Sequence, residues 1–202
     1  MIRILILCVA VLTATTARAQ DDAASLHGAI AKQLSSATAL QAEVITAQAG
    51  GTVIISAKRS NKYVIDAPSR SIICNGKDVW NLDKVKRTVV VSNYKAGGLS
   101  IEKLFMDVIA QYKPVALKTV NNSTLGAMYS LQLEPGGAPL FGVKAITLGI
   151  DKKTKAIRSI SVQSDQGKQE WTVRSLKTNM QLSDAVFTYT ARKGVEEIDM
   201  RD

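Results

Sequence analysis

Apolar side chains recur every three or four positions in the first part of the chain, at Leu26, Ile30, Leu34, Ala37 and Leu40. This spacing places them on one face of a helix and leaves polar residues for the other face. The pattern predicts one amphipathic helix from Ala23 to about Val44, ended by the pair Gly50-Gly51.

After these glycines the pattern changes to short runs of β-type residues separated by turn residues. Five strands are predicted in succession, at residues 52–58, 62–67, 71–75, 78–83 and 87–92. Asn75-Gly76 between two of them is a strong hairpin signal, because that turn needs positive φ angles. Five more strands are predicted further along, at residues 127–134, 143–151, 156–163, 169–176 and 186–190.

A second amphipathic helix is predicted between the two groups of strands, over residues 101–112. Ser100 supplies its N-cap, Leu99 and Leu104 suit a hydrophobic staple, and Pro114 closes it. The polar residues 121–124 are typical of a loop.

Many antiparallel strands and few helices leave a sheet with one face to cover. The pattern therefore predicts a mainly β (α+β) fold. The economical arrangement is a strongly curved antiparallel sheet, or incomplete β-barrel, with both helices packed on its concave face. Helices cannot fill such a concavity as tightly as a closed core, so we expect a hydrophobic pocket between lid and sheet.

The first nineteen residues have the three parts of a secretory signal. Arg3 is basic, residues 4–12 are almost entirely apolar, and Ala17-Arg18-Ala19 supplies small residues for cleavage. The apolar run is shorter than the about 20 residues of a membrane-spanning helix, and a short buried helix is the alternative. We expect cleavage after Ala19, which leaves residues 20–202 as one soluble domain outside the cytoplasm, with no acceptor cysteine for a lipid anchor.

Removal of Arg3 and Arg18 lowers the formal charge from +9 to +7. The basic residues are spread along the chain, which is typical of a soluble surface; attraction to anionic lipid headgroups or to an acidic partner is the alternative. We expect a monomer that binds no nucleic acid. Only Cys74 remains after cleavage, which excludes an intramolecular disulfide, and its apolar neighbours favour a buried thiol.

Residues with catalytic or metal-binding chemistry are isolated from one another in the sequence. His27 is the single histidine, and its neighbours predict a partly exposed position on the first helix. Carboxylates occur singly in turns, and the acidic residues 196–199 lack the spacing of a calcium loop and favour a solvated tail. The sequence shows no glycine-rich phosphate loop, nucleophile elbow or cysteine pair. We therefore expect a binding protein with no catalytic residues, no metal and no cofactor.

Two stretches carry recognisable motifs. The first lies between Gly51 and Leu82 and contains Lys58-Arg59-Ser60-Asn61-Lys62-Tyr63 and Cys74-Asn75-Gly76-Lys77-Asp78-Val79-Trp80. The second is Phe187-Thr188-Tyr189 followed by Lys193-Gly194-Val195-Glu196-Glu197-Ile198-Asp199. In this order the motifs resemble the LolA family of periplasmic lipoprotein carriers. That family usually has proline, aspartate and serine where this chain has Ser60, Asn75 and Cys74, which suggests a divergent member.

The resemblance implies an eleven-stranded, half-open and strongly curved antiparallel β-barrel, with two or three helices packed as a lid on its concave face over an apolar cavity. In that family, the cavity receives the acyl chains of a lipoprotein at the inner-membrane ABC extruder and delivers them to an outer-membrane receptor. The resemblance also implies that Arg59 closes the lid through hydrogen bonds to a lid helix. An ordinary surface cation at a turn is the alternative for this residue.

Strand parity and helix faces indicate which side chains would line the cavity. The candidates are Leu26, Ile30, Leu34, Tyr63, Ile65, Phe105 and Ile109. Ordinary core packing is the alternative for each of them, and Trp80 and Trp171 suit either place. The sequence favours a soluble periplasmic lipoprotein carrier. The alternatives are a LolA-like binding or sensor protein for another amphiphile (phospholipid or glycolipid) and an enzyme or structural protein without a lipid cavity.

Overall fold

The structure, a computed structural model, describes residues 22–95 and 101–201. The first described element is a helix, α1, over residues 22–35. Its last turn tightens, because the backbone N–H of Ala37 donates to the carbonyl oxygen of Leu34 at 3.2 Å. Strand β1, Ala39–Thr46, follows directly.

The prediction that the first helix continues to Val44 is wrong. Leu40, Ala42 and Val44 are buried and alternate with more exposed residues, which is the two-residue period of a strand. The error has a simple cause, since Leu34, Ala37 and Leu40 also fit the spacing of one helix face.

Five strands joined by short connections follow β1. They are β2 (Gly51–Lys58), β3 (Lys62–Asp66), β4 (Arg70–Asn75), β5 (Asp78–Asp83) and β6 (Thr88–Asn93). These bounds confirm the five predicted strands to within one residue. The predicted hairpin at Asn75-Gly76 is also confirmed: Gly76 has φ of 92°, and Asn75 Oδ1 accepts from the backbone N–H of Lys77 at 2.9 Å.

The second helical segment, α2, covers residues 101–111. It is α-helical at Ile101–Lys103 and Ile109–Gln111, with a wider π-helical turn at Leu104–Val108 between them. The predicted N-cap residue Ser100 and the predicted staple residue Leu99 lie outside the described residues. Among the residues described, no helix has the length and apolar character of a membrane span.

Tyr112 begins strand β7 instead of ending the helix, so α2 stops one residue earlier than predicted. Its hydroxyl donates to the carbonyl oxygen of Val143 at 2.5 Å, and this bond fixes the helix-to-strand transition. Pro114 does not close the helix. It lies inside β7 beside a register shift, where the missing N–H is tolerated because β7 is an edge strand.

The second group of strands has an unpredicted first member and lacks the predicted last one, at residues 186–190. It contains β7 (Tyr112–Asn122), β8 (Gly126–Pro135), β9 (Val143–Asp151), β10 (Ile157–Ser164) and β11 (Gly167–Thr178). The sequence predicted the last four to within two residues but not β7. The loop predicted at residues 121–124 accordingly begins two residues too early.

The segment after β11 was predicted incorrectly. Residues 186–190 do not form a strand; the chain makes a 3₁₀ turn at Asp184–Phe187 that buries Phe187. The acidic residues near the end form a strand, β12 (Glu196–Asp199), rather than a free tail. Its side chains are exposed, and it pairs in parallel with β6.

All twelve strands belong to one sheet in the order β12-β6-β5-β4-β3-β2-β1-β11-β10-β9-β8-β7. The two end strands of this described sheet are β12 and β7, so the sheet is open. This confirms a mainly β fold with an open, curved sheet and helices. The strand count is twelve instead of about ten or eleven, and one pairing is parallel.

Strand register defines two faces of the sheet. The inner face carries Leu40, Ala42 and Val44 of β1 and their neighbours, and it packs against α1 and α2 in one hydrophobic cluster. The outer face carries a smaller cluster of Trp80, Leu82, Val89 and Val91, which Tyr189 and Val195 of the C-terminal segment cover. The two helices therefore cover one face of the sheet and the C-terminal segment covers part of the other.

Candidate functional site

A hydrogen bond joins the two helices that cover the inner face. His27 Nε2 of α1 lies 2.9 Å from the carbonyl oxygen of Ile109 in α2. A carbonyl oxygen can only accept, so Nε2 carries the proton. The prediction of a partly exposed His27 is wrong, because only 9% of this residue is exposed. The histidine is a polar link between the helices.

Arg59 forms a second link, at the end of β2. Its Nε donates to the carbonyl oxygen of Ala37 at 3.1 Å, and its Nη2 donates to that of Ser35 at 2.5 Å. Its Nη1 binds Asp107 Oδ1 of α2 at 2.7 Å. One guanidinium therefore connects β2, the carboxyl end of α1 and α2. The guanidinium thus donates to two carbonyl oxygens at the end of one helix and forms an ion pair with the other helix.

The turn that presents Arg59 has an unusual backbone. Ser60 and Asn61 have φ of 73° and 60°, in the left-handed region. Proline holds φ near −65°, so it cannot occupy position 60 in this conformation. The turn also packs on the next hairpin, because a Cβ at Gly76 would lie 2.5 Å from the carbonyl oxygen of Ser60. A proline at position 60 would therefore require a different turn.

The predicted cavity residues fall into two groups. Ile30, Leu34, Phe105 and Ile109 are at most 5% exposed and fill the core between helices and sheet. Three others, Leu26, Tyr63 and Ile65, are partly buried at the margin of the same cluster. Of the two tryptophans, Trp171 packs at the margin of this inner cluster, and Trp80 belongs to the outer face.

Tyr63 and Cys74 face each other as a register pair of β3 and β4. Burial raises the pKa of the Tyr63 hydroxyl and that of the Cys74 thiol above their ordinary values. Both groups are therefore neutral near pH 7. The prediction of a buried thiol at Cys74 is confirmed, and this part of the inner face presents no charge from either residue.

A groove of about 370 Å³, here called the edge groove, lies between α1 and the β7 edge of the sheet. Its lining consists of Asp22, Ser25, Leu26, Ala29, Leu117, Tyr129 and Lys155. The four α1 residues recur at the spacing of one helix face. Of the predicted cavity residues, Leu26 lies here, whereas Leu117, Tyr129 and Lys155 were not predicted.

A second depression of about 270 Å³ adjoins the first, because Lys155 lines both. Ile30 of α1 contributes to its lining, together with Arg158 and Arg174 of β10 and β11. Within the described ranges, no group of three or more His, Cys, Asp or Glu residues could hold a metal ion. The site therefore offers apolar surface, hydrogen bonds between its covering elements and a basic rim.

The fold is thus an open β-sheet with two helices and grooves on one face. The chain belongs to the LolA family, described as outer membrane lipoprotein carrier protein LolA, whose model matches residues 38–190. The match includes Arg59, β1–β11 and the 3₁₀ turn.

Several solved structures are similar to this one. An uncharacterized conserved protein from Thermus thermophilus has 16% identity and a TM-score of 0.49, over 88% of this chain and 99% of the other. The lipoprotein LppX from Mycobacterium tuberculosis has 12% identity and a TM-score of 0.42, over 81% and 98%. Sequence identities and TM-scores this low carry no argument about function. No curated protein matches the chain at a significant level.

Proposed function

We propose that this chain is a periplasmic carrier that binds the acyl chains of lipoproteins between its sheet and its two helices. It takes them from an inner-membrane ABC extruder and delivers them to an outer-membrane receptor. The observation that carries this proposal is the apolar inner face, which two helices cover and a few polar bonds around Arg59 hold. Membership of the family of outer membrane lipoprotein carriers supports it.

Energetics favour a cover that closes when no ligand is bound. Exposure of apolar surface to water costs about 25 cal/mol for each Å². The Arg59–Asp107 pair has side chains 38% and 39% exposed, so its contribution is at most about 1 kcal/mol. Such a bond orders the empty protein but is weak enough for a ligand to displace. Arg59 thus acts as the lid-closing residue in this proposal, and Tyr63 and Ile65 are wall residues that ligand would contact.

We also propose that the protein is exported, that it acts as a monomer and that it is not an enzyme. Residues 1–19 would be removed as a signal peptide, and residues 20–202 would form the working domain. The intact mass of the protein recovered from a periplasmic extract tests this point. A mass that corresponds to a chain starting at Gln20 supports it, and a full-length chain retained in the cytoplasm contradicts it.

The carrier function is tested with inner-membrane vesicles that hold a radiolabelled lipoprotein and the ABC extruder. We expect the wild-type chain to release the lipoprotein into the soluble fraction. Ile65→Lys, which places a charge on the inner face, should abolish release. Val64→Lys, one residue away on the outer face, is the matched control and should retain it. Absence of release by the wild type, or equal release by both variants, contradicts the proposal.

A different amphiphile, such as a phospholipid or glycolipid, is the second candidate ligand. The observation that favours it is the basic rim of the edge groove, because Lys155 beside apolar surface suits an amphiphile with an anionic head group. Mass spectrometry of lipids that copurify with the chain separates the two candidates. A lipoprotein-derived acyl peptide supports the first, and a free lipid supports the second.

A further inference from the structure

The edge groove has an apolar interior and a basic rim. Leu117 and Tyr129 of β7 and β8 lie on one side, and Leu26 and Ala29 of α1 lie on the other. Lys155 lies at the rim, in the turn between β9 and β10. Aliphatic surface beside an ammonium group is complementary to an amphiphile with a negative head group.

Lys155 occupies a backbone conformation that lysine rarely adopts. Its φ of 59° lies in the left-handed region, where glycine or asparagine is usual. The turn holds this conformation through a hydrogen bond from the N–H of Lys155 to the carbonyl oxygen of Asp151, at 2.9 Å. The Asp151 carboxylate also accepts from the N–H of Thr154, at 2.7 Å. A charged residue kept in a strained conformation at the rim of a groove suggests a functional reason.

A second lysine reinforces the positive charge. The Nζ atoms of Lys155 and Lys152 lie 4.6 Å and 5.2 Å from the centroid of the Tyr129 ring. The ring attracts each ammonium group. Both positive charges therefore lie close to a side chain that lines the groove.

The local charge balance is positive. Within the described part of the chain, none of Lys152, Lys155 and Arg158 forms an ion pair. Asp22 is the acidic residue in the described lining of the edge groove, and Asp151 accepts hydrogen bonds within its own turn. Arg158 extends the basic rim into the adjoining depression.

We propose that the edge groove binds the aliphatic chain of an anionic single-chain amphiphile, with Lys155 at the rim holding its negative head group and Lys152 adding positive charge beside the Tyr129 ring. The volume of 370 Å³ is small among ligand pockets, which argues for one chain rather than several. This inference goes beyond the proposed function, because it assigns a separate small ligand to one margin of the inner side of the sheet. It adds a head-group site to the apolar surface.

A matched pair of fluorescent probes tests the inference: cis-parinarate, which is anionic, and its methyl ester, which is neutral. We expect the wild-type chain to bind the acid about tenfold more tightly than the ester, as a charge-assisted hydrogen bond implies. Lys155→Gly should remove most of this preference without loss of folding, because glycine suits φ of 59°. Lys152→Gln should reduce the preference by a smaller factor.

Two further variants locate the ligand. Ala29→Leu fills the groove from α1 and should weaken both probes equally. Lys153→Gln changes a lysine of the same turn that neither lines the groove nor contacts the Tyr129 ring, and it should leave both affinities unchanged. The inference is overturned if the wild-type chain binds acid and ester with equal affinity. It is also overturned if Lys153→Gln loses as much of the preference for the acid as Lys155→Gly does, or if Ala29→Leu binds both probes as tightly as wild type. These outcomes leave the carrier proposal intact, because lipoprotein release from vesicles is measured separately.

Discussion

The two faces of the sheet are covered in different ways. On the inner face, α1 and α2 are linked to each other by His27 and to the sheet by Arg59, and grooves remain at the margin. On the outer face, the C-terminal segment buries Phe187 completely and binds Lys58 and Lys62 through Asp184, each at 2.7 Å. The strand β12 also pairs with β6 through its backbone.

This difference in contacts indicates which of the two covers can open. The links of the inner cover include an ion pair with half-exposed side chains and hydrogen bonds at a helix end. Buried aromatic side chains occur in both covers, at Phe105 and Phe187, but only the outer cover adds strand pairing, which is costly to break. We therefore expect ligand entry on the inner side and a mainly structural role for the outer side.

The largest expected effect is that of Phe187→Ala on the outer cover. Loss of a fully buried phenylalanine should lower the free energy of unfolding by about 3–5 kcal/mol. Urea denaturation measures this loss, and Val186→Ala, at an exposed neighbour, should change stability by less than about 0.5 kcal/mol. Parinarate affinity of the folded variant should match that of wild type. A large loss of affinity would show that the outer cover takes part in binding.

The region of β2–β6 shows what the sequence can predict. Each strand there has its own apolar spacing, and turn residues such as Asn75-Gly76 separate the strands, so local pattern suffices. β7 lacks such a pattern because it is an edge strand that contains Pro114 and many exposed residues. β12 lacks it as well, since its four side chains are exposed and only its backbone pairs.

The second prediction concerns the turn that positions Arg59. Ser60→Pro should lower the free energy of unfolding by about 2 kcal/mol, because proline cannot adopt φ of 73°. It should also weaken the inner cover by displacing the guanidinium. Ser60→Gly is the matched control and should keep or slightly increase stability. Thermal unfolding measures both variants, and equal stability of Ser60→Pro and wild type would contradict the turn geometry.

The candidate site was only partly predictable for a related reason. Helix periodicity identified Leu26 and Ile30, since both lie on the apolar face of α1. Lys155 looked like an ordinary turn residue. Its place beside Tyr129 depends on how β8 and β9 pair, and on the bond from the N–H of Lys152 to Ala127. Contacts between distant parts of the chain have no local signature.

A third prediction tests the inner cover directly. Arg59→Gln should lower the free energy of unfolding by only about 1 kcal/mol, since the side chain is partly exposed. It should nevertheless speed amide hydrogen exchange in α1 more than in β4 and β5. Lys58→Gln, which alters the adjacent residue on the outer face, should leave exchange in α1 unchanged. Equal exchange in the two variants would contradict the lid-closing role of Arg59.

The smallest effect is expected from Asp184, whose carboxylate is exposed to solvent. Hydrogen bonds from Lys58 and Lys62 hold the pKa of Asp184 at about 2, below the ordinary 3.8. Because the folded pKa is the lower one, this contribution to stability is complete above pH 3.8 and is lost as the pH falls through about 2. Asp184→Asn should thus be slightly less stable than wild type at pH 7 and equally stable below pH 2. Urea denaturation across this range measures the difference, and a difference that grows as the pH falls would contradict the two-lysine contact on the outer face.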